Sequence, residues 1–247
     1  MKKRLLILGM IFIMAVSSAG CGSSSSDNSG KADQSKQTAT VQDSQKDTSN
    51  DSKSDNDKKD TKYKSADEIT MDDLMSHDET PAEDFEFNDG ADEIVIQKYV
   101  GKDPIVVIPD EIDGKKVVGF ESAFTLNNNI VAVKIGNNVQ EVENSAFSGC
   151  KQLKYVVMGD SVKTIGGRMF AQTNLQELVL NDGLQKIGQD DSNNVLAPPS
   201  SNCGMDLKIP ESVTELHVSE FNLIGKSGSY AEQYANEHAD AGVTFTA

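Results

Sequence analysis

The sequence predicts a β-rich solenoid, in which short strands from successive repeats stack on one another. Three apolar segments repeat at a spacing of 22 to 23 residues, at positions 130–135, 153–158 and 175–180. Each leads into a second apolar pair: Val139 and Val142, Val162 and Ile165, Leu184 and Ile187. Such repetition indicates a solenoid, because each unit buries its apolar edge only against its neighbours.

Further copies extend the pattern toward both ends of residues 84–247. A small or flexible residue precedes phenylalanine at 123–124, 146–147 and 169–170, and a later copy at 207–216 leads to Phe221. We therefore expect about five repeats. The first copy is displaced by one residue at 118–120 and the fourth has an insertion at 189–206, so these two should be irregular in register.

Both ends of a solenoid need a cover for their apolar edge. Phe85 and Phe87 alternate, residues 88–90 form a turn and residues 94–96 return, which predicts an N-terminal hairpin cap. Ser229 and Glu232 have capping-box spacing, and the aromatic residues Tyr230 and Tyr234 recur at helical spacing with His238. These features predict a C-terminal helix cap, with a last strand at 243–245.

The segment Ala146-Phe147-Ser-Gly-Cys150-Lys-Gln-Leu153-Lys-Tyr-Val156 resembles the BspA-like class of leucine-rich repeats. The resemblance covers residues 84–247, including the entry at 108–117 and the closing segment at 225–235. It implies a β-rich leucine-rich repeat solenoid with a right-handed turn and short parallel strands. It also implies surface recognition rather than catalysis, so we expect no enzyme activity.

The N-terminus predicts a signal peptide at residues 1–20. Lys2, Lys3 and Arg4 precede an apolar run at 5–16 that is too short to cross a bilayer. Residues 18–21 then resemble the lipobox of bacterial lipoproteins, although Ser18 departs from the usual leucine. This resemblance implies that Cys21 carries diacylglycerol and anchors the chain in the outer face of a bacterial membrane. Ordinary secretion is the alternative.

Two segments separate Cys21 from the repeats. Residues 22–64 contain eight Asp and eight Lys but few apolar groups, which predicts that residues 21–64 form a disordered tether. Residues 65–83 are acidic and should form a short helix or a linker. A capping box at Ser65 and Glu68 would start the helix, and Ile69, Leu74 and Met75 would form one face.

No motif in the chain predicts a metal, cofactor or catalytic site. The acidic stretch at 84–90 lacks the glycine at the sixth position of a calcium loop and the glutamate at the twelfth. Histidine occurs three times, without nucleophile or ligand spacing. Cys150 occupies a small, buried-type repeat position, so a packed thiol is favoured over a reactive one, and a bridge to Cys203 remains open. The net charge of −16 disfavours nucleic acid as a partner.

The outward side of the repeat strands is the predicted binding surface, because alternate residues of a strand point to opposite faces. One outward column contains Val107, Lys134, Val157, Val179 and Lys208, and its neighbour contains Ile105, Ala132, Tyr155, Glu177 and Asp206. From these we select as binding residues Ala132, Lys134, Tyr155, Val157, Glu177 and Val179. Ordinary strand propensity would also explain the valines. The insertion at 189–206 is a second candidate.

These observations predict a lipid-anchored extracellular adhesion protein that recognises a protein or glycan through its repeat face. The alternative is an envelope spacer or assembly partner without a soluble ligand. A weak hydrolase ranks third, because a glycosidase needs two carboxyl groups across a cleft and a thin solenoid offers a shallow surface.

Overall fold

The computed structural model describes residues 63–120, 122–189 and 196–247. The predicted signal peptide, Cys21 and the tether up to residue 62 lie outside the described residues. In chain order the elements are α1 (Met71–Met75), β1 (Phe85–Asp89), β2 (Glu93–Tyr99), β3 (Ile105–Val107), β4 (Glu111–Ile112), β5 (Lys115–Phe120), β6 (Ala132–Lys134), β7 (Glu141–Val142), β8 (Tyr155–Val157), β9 (Thr164–Ile165), β10 (Glu177–Val179), β11 (Lys186–Ile187), β12 (Met205–Lys208), β13 (Glu215–Leu216), β14 (Phe221–Ile224), α2 (Tyr230–Glu237) and β15 (Thr244–Thr246).

Two ladders form the body of the solenoid. The first contains β3, β6, β8 and β10, which pair in parallel and in that order. The second contains β7, β9, β11 and β13, also in parallel. Each turn from residue 130 to 187 contributes one strand to each ladder, so the predicted repeat spacing is confirmed.

The inward side chains of both ladders form one continuous hydrophobic core. The phenylalanines that recur every 23 residues lie in this core, with the Phe124 and Phe147 ring centroids 5.5 Å apart and the Phe147 and Phe170 centroids 6.3 Å apart. All three rings are fully buried. Each turn therefore places one aromatic ring against the next, which stabilises the stack beyond the burial of area alone.

Both predicted end caps are present. Strands β1 and β2 form the antiparallel hairpin, which extends into a four-stranded sheet with β5 and β4. Its pairing with β5 shifts register between Ile94 and Val95, opposite the displaced first copy. At the other end, Ser229 caps α2 by accepting a hydrogen bond from the Glu232 amide, and β15 pairs in parallel with β14.

The first ladder ends at the insertion in the fourth copy. Strand β12 pairs with β14 and not with β10, so β12, β14 and β15 form a separate three-stranded parallel sheet. With these strands the solenoid has about six turns, one more than the five that the sequence predicts. The sequence pattern does not predict the extra turn, because β12 and β14 are separated by fewer residues than one repeat contains.

Candidate functional site: the outward face and its N-terminal cover

Residues 63–81, which we call the N-terminal strap, pack across the outward face of the first ladder. Ile69 and Leu74 of the strap are 2% and 0% exposed. They form a hydrophobic cluster with outward residues of β3, β6 and β8, separate from the main core. The acidic segment is therefore not a free linker but a folded cover on the repeats.

Two polar side chains fix the strap at its ends. The Lys154 side chain is 9% exposed, and its ammonium group donates hydrogen bonds to the Ala66 carbonyl oxygen at 2.9 Å and to the Asp67 carboxylate at 3.2 Å. At the other end, the Thr80 amide donates to the Val107 carbonyl oxygen at 2.9 Å, and the Val107 amide donates to the Thr80 hydroxyl at 3.0 Å. These last two bonds occupy polar groups of β3, which would otherwise be an open sheet edge.

The helix in the strap begins later than the sequence predicts. Ser65 and Glu68 do make capping contacts, but they close only a turn. The helix starts at Met71 after a second capping box, in which Thr70 and Asp73 satisfy each other's backbone amides. Thr70 is extended and interrupts the first turn. The predicted apolar face is correct for Ile69 and Leu74 but wrong for Met75, which is 54% exposed.

Acid should release the strap helix. The Lys64 ammonium group, 2.6 Å away, and then the Thr70 amide and hydroxyl lower the pKa of Asp73 from 3.8 to about 2. Because the folded-state pKa is lowered, this stabilisation is fully present above about pH 4 and is lost as the pH falls through about 2. We expect the Leu74 methyl NMR signals to titrate over this range, and Asp73→Asn to remove that titration. An unchanged titration in Asp73→Asn would contradict this assignment.

The strand-face assignment is confirmed, but the predicted patch is not open as a whole. Inward residues such as Val156 belong to the main core, and outward residues belong to the cluster under the strap. Ala132 and Val157 are 0% and 7% exposed. The structure therefore corrects these two as accessible binding residues, since the strap covers them.

The open part of the outward face lies around β10. Glu177 and Val179 are exposed, Lys134 and Tyr155 are partly buried at the border of the strap, and the Tyr155 hydroxyl donates a hydrogen bond to Gln176 Oε1 at 3.3 Å. Of the six predicted binding residues, the structure leaves these four accessible. The strap's own apolar residues were the signal that it covers a surface, although they do not indicate which surface.

A groove of about 710 Å³ lies beside the exposed residues, where β10 ends the first ladder and β12 begins the next sheet. Its walls include the polar and apolar residues Glu177, Val179, Asp182, Asp206, Lys208 and Ile224. Asn202, from the insertion, also lines the groove, and its side-chain amide donates to the Leu175 carbonyl oxygen at 3.0 Å. The insertion therefore borders the open face, although residues 190–195 lie outside the described part.

Cys150 is a packed thiol, as the repeat position predicts. It is fully buried and free, and its Sγ donates a hydrogen bond to the Phe124 carbonyl oxygen at 2.8 Å. Burial raises the pKa of this thiol to about 11. Cys150 therefore does not pair with Cys203, and it lacks the thiolate that a nucleophile requires.

Two features are absent from the part of the chain that the structure describes. Within residues 63–120, 122–189 and 196–247, no three His, Cys, Asp or Glu side chains are grouped so as to hold a metal ion. In the same part of the chain, no helix is long and apolar enough to span a membrane.

A family match agrees with the repeat geometry. Residues 120–195 match the model of the BspA type leucine-rich repeat region, in six copies. The crystal structure of a leucine-rich repeat protein of T. pallidum is similar at 29% identity, covering 60% of this chain and 71% of that chain, with a TM-score of 0.49. No curated protein matches the sequence significantly. The stacked ladders define the fold as a β-solenoid, and its repeats at 120–195 are similar to leucine-rich repeats of the BspA type.

Proposed function

We propose that this protein is a lipid-anchored recognition protein on the outside of a bacterial cell, and that it binds a protein or glycan without chemical conversion. Cys21 would carry the lipid, residues 22–62 would hold the folded part away from the membrane, and the repeats would supply the binding surface. Leucine-rich repeat proteins often mediate protein binding or adhesion, which supports this role.

The observation that carries the proposal is the division of the outward face. The strap covers β3, β6 and β8, whereas β10 keeps Glu177 and Val179 exposed beside a groove of about 710 Å³. That volume lies within the usual range of ligand sites, roughly 300–1,000 Å³. Apolar surface on the covered strands is used for stability, so recognition is assigned to the open part.

The anchoring half of the proposal is tested at Cys21. Cells expressing the chain are labelled with a fatty-acid analogue, and the chain is followed through cell fractionation. We expect the label and membrane retention in the natural sequence, and neither in Cys21→Ser. Full membrane retention of an unlabelled Cys21→Ser protein would overturn lipid anchoring.

The recognition half is tested on arrays of extracellular proteins and glycans. The double variant Glu177→Gln with Val179→Ser should weaken binding to any captured ligand by about tenfold or more. A matched control makes the same two changes on the N-terminal cap, at the exposed residues Glu111 and Val100. Equal losses in both variants would overturn the assignment to the open face.

The same arrays distinguish the alternative role as an envelope spacer or assembly partner. A spacer would bind nothing on the arrays, and deletion of the gene would disturb the envelope without reducing adhesion. Binding that depends on Glu177 and Val179 would exclude this alternative.

A further inference from the structure

The groove between β10 and β12 has a chemistry that specifies its ligand, and this inference rests on the proposed recognition function. The groove exists because the fourth-copy insertion separates two sheets that a regular solenoid would join. Its walls come from the last strand of one sheet and the first two strands of the next. A binding site at this break can therefore change without disturbing the stacked core.

The groove walls carry excess negative charge. The carboxylates of Glu177, Asp182 and Asp206 line it, and all three residues are exposed. Lys208 is the single basic side chain among the wall residues named above. Within the part of the chain that the structure describes, neither Glu177 nor Asp182 makes an ion pair. A cationic ligand would supply the missing counter-charge.

Hydrogen bonding beside the groove has a fixed direction. The Asn222 side-chain amide donates to Asp206 Oδ1 at 2.7 Å. Because a carboxylate only accepts, Asn222 Oδ1 must face the other way, where the Thr244 and Thr246 hydroxyls donate to it at 3.0 and 3.2 Å. The row uses one Asn222 N–H and both threonine hydroxyl protons internally. The Asp206 carboxylate, which lines the groove, keeps further acceptor positions for the N–H groups of a ligand.

Apolar wall residues distinguish between two kinds of cationic ligand. Val179 is 39% exposed and Ile224 is partly buried, and both line the groove near the carboxylates. Lysine and arginine side chains have an apolar stem below a cationic head, so they can contact both kinds of wall at once. An amino sugar has no such stem. We propose that the groove binds a lysine- or arginine-bearing segment of a partner protein.

The test uses the full mature chain and a synthetic octapeptide of alternating lysine and glycine, with binding measured by calorimetry at two salt concentrations. We expect saturable binding that weakens with salt. The double variant Glu177→Gln with Asp206→Asn should raise the Kd by about tenfold or more. It keeps the Asn222 hydrogen bond, because an asparagine oxygen still accepts.

A matched control removes the same charge from other surfaces, at the exposed residues Glu111 and Glu141. The double variant Glu111→Gln with Glu141→Gln should leave the Kd within about twofold. An equal loss of affinity in both double variants would overturn the assignment of the peptide to the groove, and would indicate general attraction to an acidic protein.

Two further probes test the ligand class. A peptide with 2,4-diaminobutyrate in place of lysine keeps the charge but shortens the stem, and it should bind several-fold more weakly. Tighter binding of a glucosamine hexamer than of the lysine peptide would overturn the proposal. If array ligands still bind through Glu177 and Val179 while the lysine peptide does not, the ligand class is wrong and the recognition function stands.

Discussion

Replacing Phe147 by alanine is expected to lower the free energy of unfolding by about 3–5 kcal/mol, the usual cost of emptying a fully buried aromatic site. The Phe147 ring is 0% exposed and lies between the rings of Phe124 and Phe170, with Phe120 5.8 Å away. Its loss therefore removes contacts on both sides of a central turn. Because each repeat is stabilised chiefly by its nearest neighbours, the damage should reach the adjacent turns.

Urea denaturation followed by circular dichroism measures this effect. Phe245→Ala is the matched control, since Phe245 is partly buried and lies in β15 at the end of the last sheet. We expect the control to lose less than half as much free energy. An equal loss in the two variants would contradict a core organised around the central aromatic stack.

The repeat core could be predicted from the sequence because it depends on local periodicity. Positions such as Val133, Val156 and Leu178 recur at fixed spacing, and stacking requires equivalent residues to share one face. The hairpin and the terminal helix were also predictable, since a turn and a capping box are short-range signals. Each of these features needs information from only a few neighbouring residues.

The strap could be anticipated only in part, because its position depends on contacts between distant residues. Ile69 and Leu74 were recognised as one apolar face, but nothing local indicates which surface they cover. The bond from Lys154 to the Ala66 carbonyl oxygen joins residues 88 positions apart. The burial of Lys154 was not predictable either, because in the repeat pattern it has the character of an ordinary solvent-exposed residue.

The candidate site was predicted in part, because strand alternation is a local signal whereas burial by the strap is not. Alternation along each strand placed Glu177 and Val179 outward, and both are exposed. The burial of Ala132 and Val157 follows from the strap, and the groove follows from the separation of β10 and β12. Both depend on tertiary packing that a single repeat does not encode.

Leu74→Ala should make the strap open more often while leaving the solenoid folded. Leu74 is fully buried between the strap and the outward face, so its truncation should cost about 2–5 kcal/mol. The strap is short and contributes few of the core residues. The substitution should therefore lower the free energy of local opening rather than that of global unfolding. At 1.4 kcal/mol per tenfold, opening should become at least about thirtyfold more frequent.

Hydrogen exchange can resolve this local opening. The Thr80 and Val107 amides, which bond across the strap edge, should exchange at least about thirtyfold faster in Leu74→Ala. The Gly166 amide, bonded to Val142 in the second ladder, should keep its rate. Met75→Ala changes the neighbouring, exposed residue and should alter none of the three. Equal acceleration at Gly166 would mean that the strap opens only with the whole fold, because the cover and the repeats would then form one cooperative unit.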